Sequence, residues 1–282
     1  MKADRITSVW RNGGCNASYD SFVVASSTAL RLNFSAKICH YAKLKNVMPH
    51  CRTTDNQTKF CNLQLKNRKK LMDELIQKIK HLADTYSANL NSQIEQRKEE
   101  MKADDTSHYL IYRVLGIATK EGQLIDEYQN VGRFLYKYAG SFLEEAATLC
   151  LKYKFPDGEK TKVVNTIGQK PKTFEIDFLN ENDAIEVKWR DATTDGDHIT
   201  KEHTRVQVIK AHGHKPIRIM FYYPQREQAI RIQQTLKTLY AGVEGEYYGG
   251  DEAWEYLKTY SGVDLKAILT QIANERTPEN GN

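Results

Sequence analysis

Phe174-Glu175-Ile176-Asp177-Phe178-Leu179, Asn180-Glu181-Asn182-Asp183 and Ala184-Ile185-Glu186-Val187-Lys188-Trp189 run consecutively, and the fold turns on how they are read. The first and third pieces alternate apolar with polar residues, the two-residue period of a half-buried strand. The polar piece between them has the length and composition of a hairpin turn. Successive side chains on a strand point to opposite faces. Ile185, Val187 and Trp189 therefore face a core, while Glu186 and Lys188 share the other face. Asp177 lies on the neighbouring strand, so Asp177, Glu186 and Lys188 can meet on one face of a sheet.

Outward from this hairpin the pattern is α/β. Residues 123–153 read as a helix, with Ile125, Phe134, Leu135, Tyr138, Phe142, Leu143 and Ala146 as its apolar contacts. Pro156-Asp157-Gly158 ends it in a turn, and Val163-Val164-Asn165-Thr166-Ile167 reads as a short strand closed by Gly168. After the hairpin come a helix over 198–212 and the nearly continuous apolar run Pro216–Pro224, as expected of a strand covered on both faces. Helices over 226–240 and 251–275 close the pattern. The order from 123 to 224 is helix, three strands, helix, strand. Before it, Leu71, Leu75, Ile79, Leu82, Tyr86 and Leu90 step at helical spacing within a lysine-rich stretch, 63–103, interrupted at Asp104-Asp105-Thr106-Ser107. Two regions follow: a basic, helical segment 1–106 and a second domain, 107–282. Residues 1–62 give no clear pattern.

Two carboxylates held close together repel unless a cation lies between them. Oxygen ligands suit Mg²⁺, which keeps several waters and accepts phosphate oxygens too. Asp177 and Glu186 are the expected metal ligands, and Lys188 is placed to orient or deprotonate a water. Together these groups suit metal-assisted hydrolysis of a phosphodiester. The plainer reading is that Glu-x-Lys is an ion pair on a solvated strand.

Composition bounds the rest. The chain has 282 residues, 40% hydrophobic and 27% charged, which suits a globular protein with a buried core. No run approaches the ~18 apolar residues of a membrane span, and Met1-Lys2-Ala3-Asp4-Arg5 does not open a signal peptide, so neither membrane nor export is expected. The net charge of +5 hides local imbalance: residues 41–80 hold ten basic and three acidic residues, whereas 241–282 hold three basic and eight acidic. Basic tracts attract phosphate backbones. Near the hairpin, Arg190, Asp197, Lys201, His203 and Arg205 have the chemistry to contact base edges. His198 and His203 are assigned to DNA contacts or helix capping, because nitrogen ligands are unusual for Mg²⁺. Five cysteines in a chain without an export signal are expected to be free thiols. Zinc at Cys39, His40, His50, Cys51 and Cys61 is not favoured, since the close Cys pairs of structural zinc sites are absent.

Asp177-x8-Glu186-x-Lys188 on a hairpin resembles the PD-(D/E)xK nuclease superfamily, with Ile176 where a proline usually stands. The run Ala184–Arg205, with Ile217–Pro224 after it, resembles the ApaLI-type family of type II restriction endonucleases over about residues 170–275. The resemblance implies an αβββαβ core, a mixed sheet flanked by helices. It also implies a bacterial cytoplasmic homodimer that cuts both strands of a short palindrome, GTGCAC in the named family, beside a DNA methyltransferase acting on the same site. In the superfamily the helix before the hairpin often adds a carboxylate near the metal. Glu144 fits that place, with Glu145 or Glu127 as alternates. Two other readings stay open: a nuclease that recognises branched or damaged DNA by shape, and a DNA-binding module without catalysis.

Overall fold

A computed structural model describes residues 55–190 and 196–277 of the chain. Three helices come first: α1 (Asp55–Met101), α2 (Tyr109–Val114) and α3 (Thr119–Lys154). Three strands follow, β1 (Glu159–Val164), β2 (Thr173–Asn180) and β3 (Asp183–Arg190), then α4 (Gly196–Ala211), β4 (Lys215–Tyr222) and α5 (Glu227–Ala241). The described part ends with β5 (Glu246–Gly249), α6 (Asp251–Ser261) and α7 (Leu265–Arg276). The five strands lie in one sheet in sequence order, antiparallel through β1, β2 and β3 and parallel through β3, β4 and β5. This is the mixed sheet flanked by helices expected of the αβββαβ core.

One sheet face carries the larger apolar core. Phe178, Ile185, Val187, Ile217, Ile219 and Phe221 pack there against α1, α3, α6 and α7. On α3 the buried side chains are Leu143, Ala146, Ala147, Cys150 and Leu151, at the i, i+3, i+4, i+7, i+8 spacing of one helix face. Leu75 and Ile79 of α1 enter the same core, as their periodicity predicts. Leu71 of that periodic set stays exposed, as do Ile125 and Leu135 of α3, because the first half of α3 extends past the sheet. The other face is covered by α4 and α5 through two smaller clusters, one around Phe174, Ile176 and Ala184 and one around Met220, Leu236 and Tyr240. β4 is an interior strand, parallel to both neighbours and covered on both faces, which explains its unbroken burial from Pro216 to Phe221.

Four sequence-based expectations need correction. The strand expected over Val163–Ile167 lies earlier, at Glu159–Val164, and Asn165 instead makes a turn whose side-chain oxygen accepts the amides of Ile167 and Gly168. The hairpin turn has two residues rather than four: Asn180 pairs with Asp183, and Glu181 takes a left-handed φ of 51°. The single helix expected over 251–275 is two, because Gly262 adopts φ 77° and caps α6. Finally, β5 was not read from the sequence; four residues between two helices are too few for periodicity to register.

Candidate active site

The register of the sheet breaks where the acidic residues lie. Glu159 pairs with Leu179 and Thr161 with Ile176, so β1 advances two residues while β2 advances three. β2 therefore carries a bulge opposite Lys160. The bulge shifts the alternation: Ile176 packs beneath α4, yet Phe178, two residues on, packs on the opposite face. Bulges of this kind bend a strand and re-aim a side chain. Here the side chain is Asp177.

β2 and β3 pair from Phe178–Ile185 to Asn180–Asp183 and then part, β2 continuing beside β1 and β3 beside β4. Asp177 lies at the parting, and its Oδ2 accepts the backbone N–H of Val187 at 2.8 Å. The carboxylate thus takes an amide that would otherwise belong to the strand ladder. Both Asp177 and Glu186 are buried, at 6% and 4% exposure. Acidic groups are almost never this buried unless paired. Lys188 Nζ lies 2.5 Å from Glu186 Oε1, and the guanidinium of Arg205, from α4, lies against Glu186 Oε2. Burial pushes the Asp177 carboxyl above the usual aspartate range. Lys188 opposes this shift and the nearby Glu144 carboxylate adds to it.

Glu144 of α3 joins the group through Lys160. The ammonium of Lys160, at the bulge, lies 2.9 Å from Glu144, 2.7 Å from Glu175 and 4.0 Å from Asp177. Hydrogen bonding to Glu175, then to Glu144, holds Lys160 charged above the ordinary lysine range. The two alternates to Glu144 point elsewhere. Glu145 accepts the Tyr86 hydroxyl at 2.8 Å, and Glu127 pairs with Lys98 at 2.9 Å, near the far end of α3.

Beneath Glu186 lies a buried charge network that the sequence reading did not anticipate. Arg218 of β4, beside Glu186 in register, donates to Glu202 Oε2 at 3.0 Å. The Tyr240 hydroxyl meets the same oxygen at 3.3 Å, and Arg205 Nε lies 3.5 Å from Glu202 Oε1. Burial pushes the Arg205 guanidinium below its ordinary range. One signal was available: Arg218 interrupts the apolar run of β4, and a charged residue in a doubly covered strand must have a partner. Glu175 was also legible, two residues before Asp177. Lys160 was not, since nothing in its local sequence marks a bulge.

The other expected DNA-contacting residues are scattered. Arg190 ends β3, and its guanidinium lies over the rings of Tyr136 and Trp189 at 5.2 and 5.7 Å. Lys201 and His203 are exposed on α4, where the His203 ring meets the Gln207 amide at 3.0 Å. The side chains of Asp197 and His198 lie outside the described residues, as do Cys39, His40, His50, Cys51 and the side chain of Cys61. Among the described residues Cys150 is a free, buried thiol, pushed up to about 12 by burial.

A buried carboxylate pair at the parting of two strands, with a lysine beside it, has the chemistry of a phosphodiester hydrolase. The profile of the ApaLI-like restriction endonuclease family matches residues 56–274. The chain belongs to the ApaLI-like restriction endonucleases. It is therefore a nuclease, a hydrolase that acts on DNA. The match begins more than a hundred residues before the region in which the sequence alone carried the resemblance. No curated protein and no solved structure matches the chain. No helix among the described residues is long and apolar enough to cross a membrane.

Restriction endonucleases generally depend on a divalent metal. Among the described residues no cluster of three or more His, Cys, Asp or Glu side chains gathers to hold one. Asp177 and Glu186, with Glu144 linked to Asp177 through Lys160, would be the carboxylates to hold such an ion. That set fits Mg²⁺, which is usually held by one or two carboxylates and keeps several of its waters.

Proposed function

We propose that this chain is a type II enzyme that cuts both strands of a short palindromic DNA site, GTGCAC being the first to test, by Mg²⁺-dependent phosphodiester hydrolysis. One observation carries the reading: Asp177 and Glu186 are both buried on adjoining strands where β2 and β3 part, and Lys188 pairs with Glu186. A solvated surface ion pair has no need to bury either acid. In this reading Asp177 and Glu186 hold the ion, which when bound supplies positive charge to offset the charge that develops on the phosphate and the leaving oxygen. Lys188 Nζ orients the attacking water. Lys160 keeps Glu144 and Glu175 gathered behind Asp177, and Arg205 fixes the carboxylate plane of Glu186.

A palindromic site has two equivalent scissile bonds, which a two-fold homodimer can meet with two equivalent active sites. Arg190, Asp197, Lys201, His203 and Arg205 are the proposed DNA contacts. The basic region 1–106 would embrace the phosphate backbone with strong salt dependence. The biological setting proposed is a bacterial cytoplasm shared with a methyltransferase that protects the same site.

The test is digestion of bacteriophage DNA with Mg²⁺ by the wild type and by Asp177→Ala. Discrete fragments are expected from the wild type. The variant should cut at least ~10³-fold more slowly, since metal-assisted charge stabilisation is worth several kcal/mol, while still binding DNA. Undiminished Mg²⁺-dependent cutting by the variant refutes the site; smeared products refute sequence reading.

A further inference from the structure

We propose that the cleft at the C-terminal ends of β3 and β4, walled by Arg190, Tyr222, Tyr223, Gln225 and Arg226, binds the edge of a guanine base next to the scissile phosphate. The inference rests on the nuclease reading above and adds to it a reader of sequence. Arg190 and Tyr222 are register partners at the ends of their strands. Arg190 follows Lys188 by two residues, about 7 Å along β3, so a nucleotide neighbouring the cut can reach it.

The cleft is built from the sequence outward. The Arg190 guanidinium lies over the rings of Tyr136 and Trp189, which themselves pack together, so the charge is held at the end of β3. Arg226 stands immediately before α5. Neither guanidinium has a carboxylate partner among the described residues, unlike Arg205 and Arg218 below the catalytic pair. Tyr222 is half exposed and edge-on to Trp254, at 5.9 Å. Tyr223 lies where Gly249 has no side chain; a Cβ there would fall 2.6 Å from the tyrosine ring.

The chemistry favours a base over a phosphate. Phosphate needs donors alone and no aromatic wall. This cleft supplies flat rings, on which a base stacks, and a glutamine amide that both donates and accepts. Arginine recognises guanine by two parallel hydrogen bonds to O6 and N7, and a lysine in its place keeps the charge but loses that fork.

The experiment uses full-length wild type, Arg190→Lys and Arg226→Lys on bacteriophage DNA with Mg²⁺, followed by sequencing of all fragment ends. At least one variant should accept other bases at one position per half-site where the wild type demands guanine. Its rate at the original site should fall on the order of 10- to 100-fold. End sequences identical to wild type in both variants overturn the proposal. So does uniform slowing at every site with a shallower salt dependence, the mark of a phosphate contact. Selection of duplexes from a random library by the Asp177→Ala protein, with and without the arginine changes, reads the same preference without cutting. A guanine preference lost with an arginine supports the reader even if the wild type never cuts, in which case the nuclease assignment fails alone. An unaltered selection overturns the reader.

Discussion

The two faces of the sheet solve different problems. The face toward α1, α3, α6 and α7 buries one large apolar cluster that includes Phe178, Ile185, Ile219, Leu257 and Ile268. The face toward α4 and α5 buries smaller apolar clusters around Glu186, Glu202, Arg218, Tyr240 and Gln233. Apolar burial is non-directional and stabilises by area. Buried charges contribute little net stability, because desolvation offsets their attraction, but their geometry is demanding. The first face therefore supplies most of the folding free energy. The second fixes Glu186 against Lys188 and Arg205.

Two changes would break or sharpen that contrast, and a third probes a joint outside it. The largest effect is expected from Glu202→Ala, which leaves Arg218 buried without its carboxylate. Removing one partner of a buried pair typically costs ~3–5 kcal/mol, and chemical denaturation should show it together with slower cutting, since Arg205 also loses a hold. An unchanged denaturation midpoint would mean that the charged face is not the constrained one. Leu257→Ala on the apolar face should cost roughly 2–5 kcal/mol yet leave the cutting rate per folded molecule at wild-type level. A comparable loss of rate would erase the distinction between the faces.

The smallest effect lies outside both faces, at the joint between α1 and α3. His108 Nε2 meets Asp126 Oδ2 at 2.9 Å, and the Tyr112 hydroxyl donates to the same carboxylate. The hydrogen bond to Asp126 raises the His108 pKa above the ordinary value. A raised histidine contributes stability that is complete below its unfolded value, near 6.5, and is lost as pH rises through the higher folded value. Hydrogen exchange of the 109–114 amides, corrected for intrinsic rates, should therefore quicken modestly as pH rises past the unfolded histidine value. The His108→Ala protein should lack that pH dependence.

Much of this was legible beforehand. Alternation in 174–179 and 184–189 gave two strands and their connection, and Leu143 and Ala146, expected as apolar contacts of the helix, are buried. The hairpin also set Asp177 on the strand next to Glu186 and Lys188, as the pairing of β2 with β3 has it. The exposed half of α3 misled, because periodicity reports a face that could be buried and not whether anything covers it. Boundaries failed where one backbone angle decides, as at Gly262 and Glu181.

By itself the sequence determined most of the elements, their order and the residue types of the acidic pair, because these depend on neighbours a few residues apart. Only the tertiary structure decided that β2 bulges opposite Lys160, that β2 and β3 part beside Asp177, and that Glu186 rests on Arg205, Glu202 and Arg218. Those facts join residues from separate elements. Their reason is the balance between burying apolar area on both faces and pairing every charge buried with it, which is settled across the whole sheet at once.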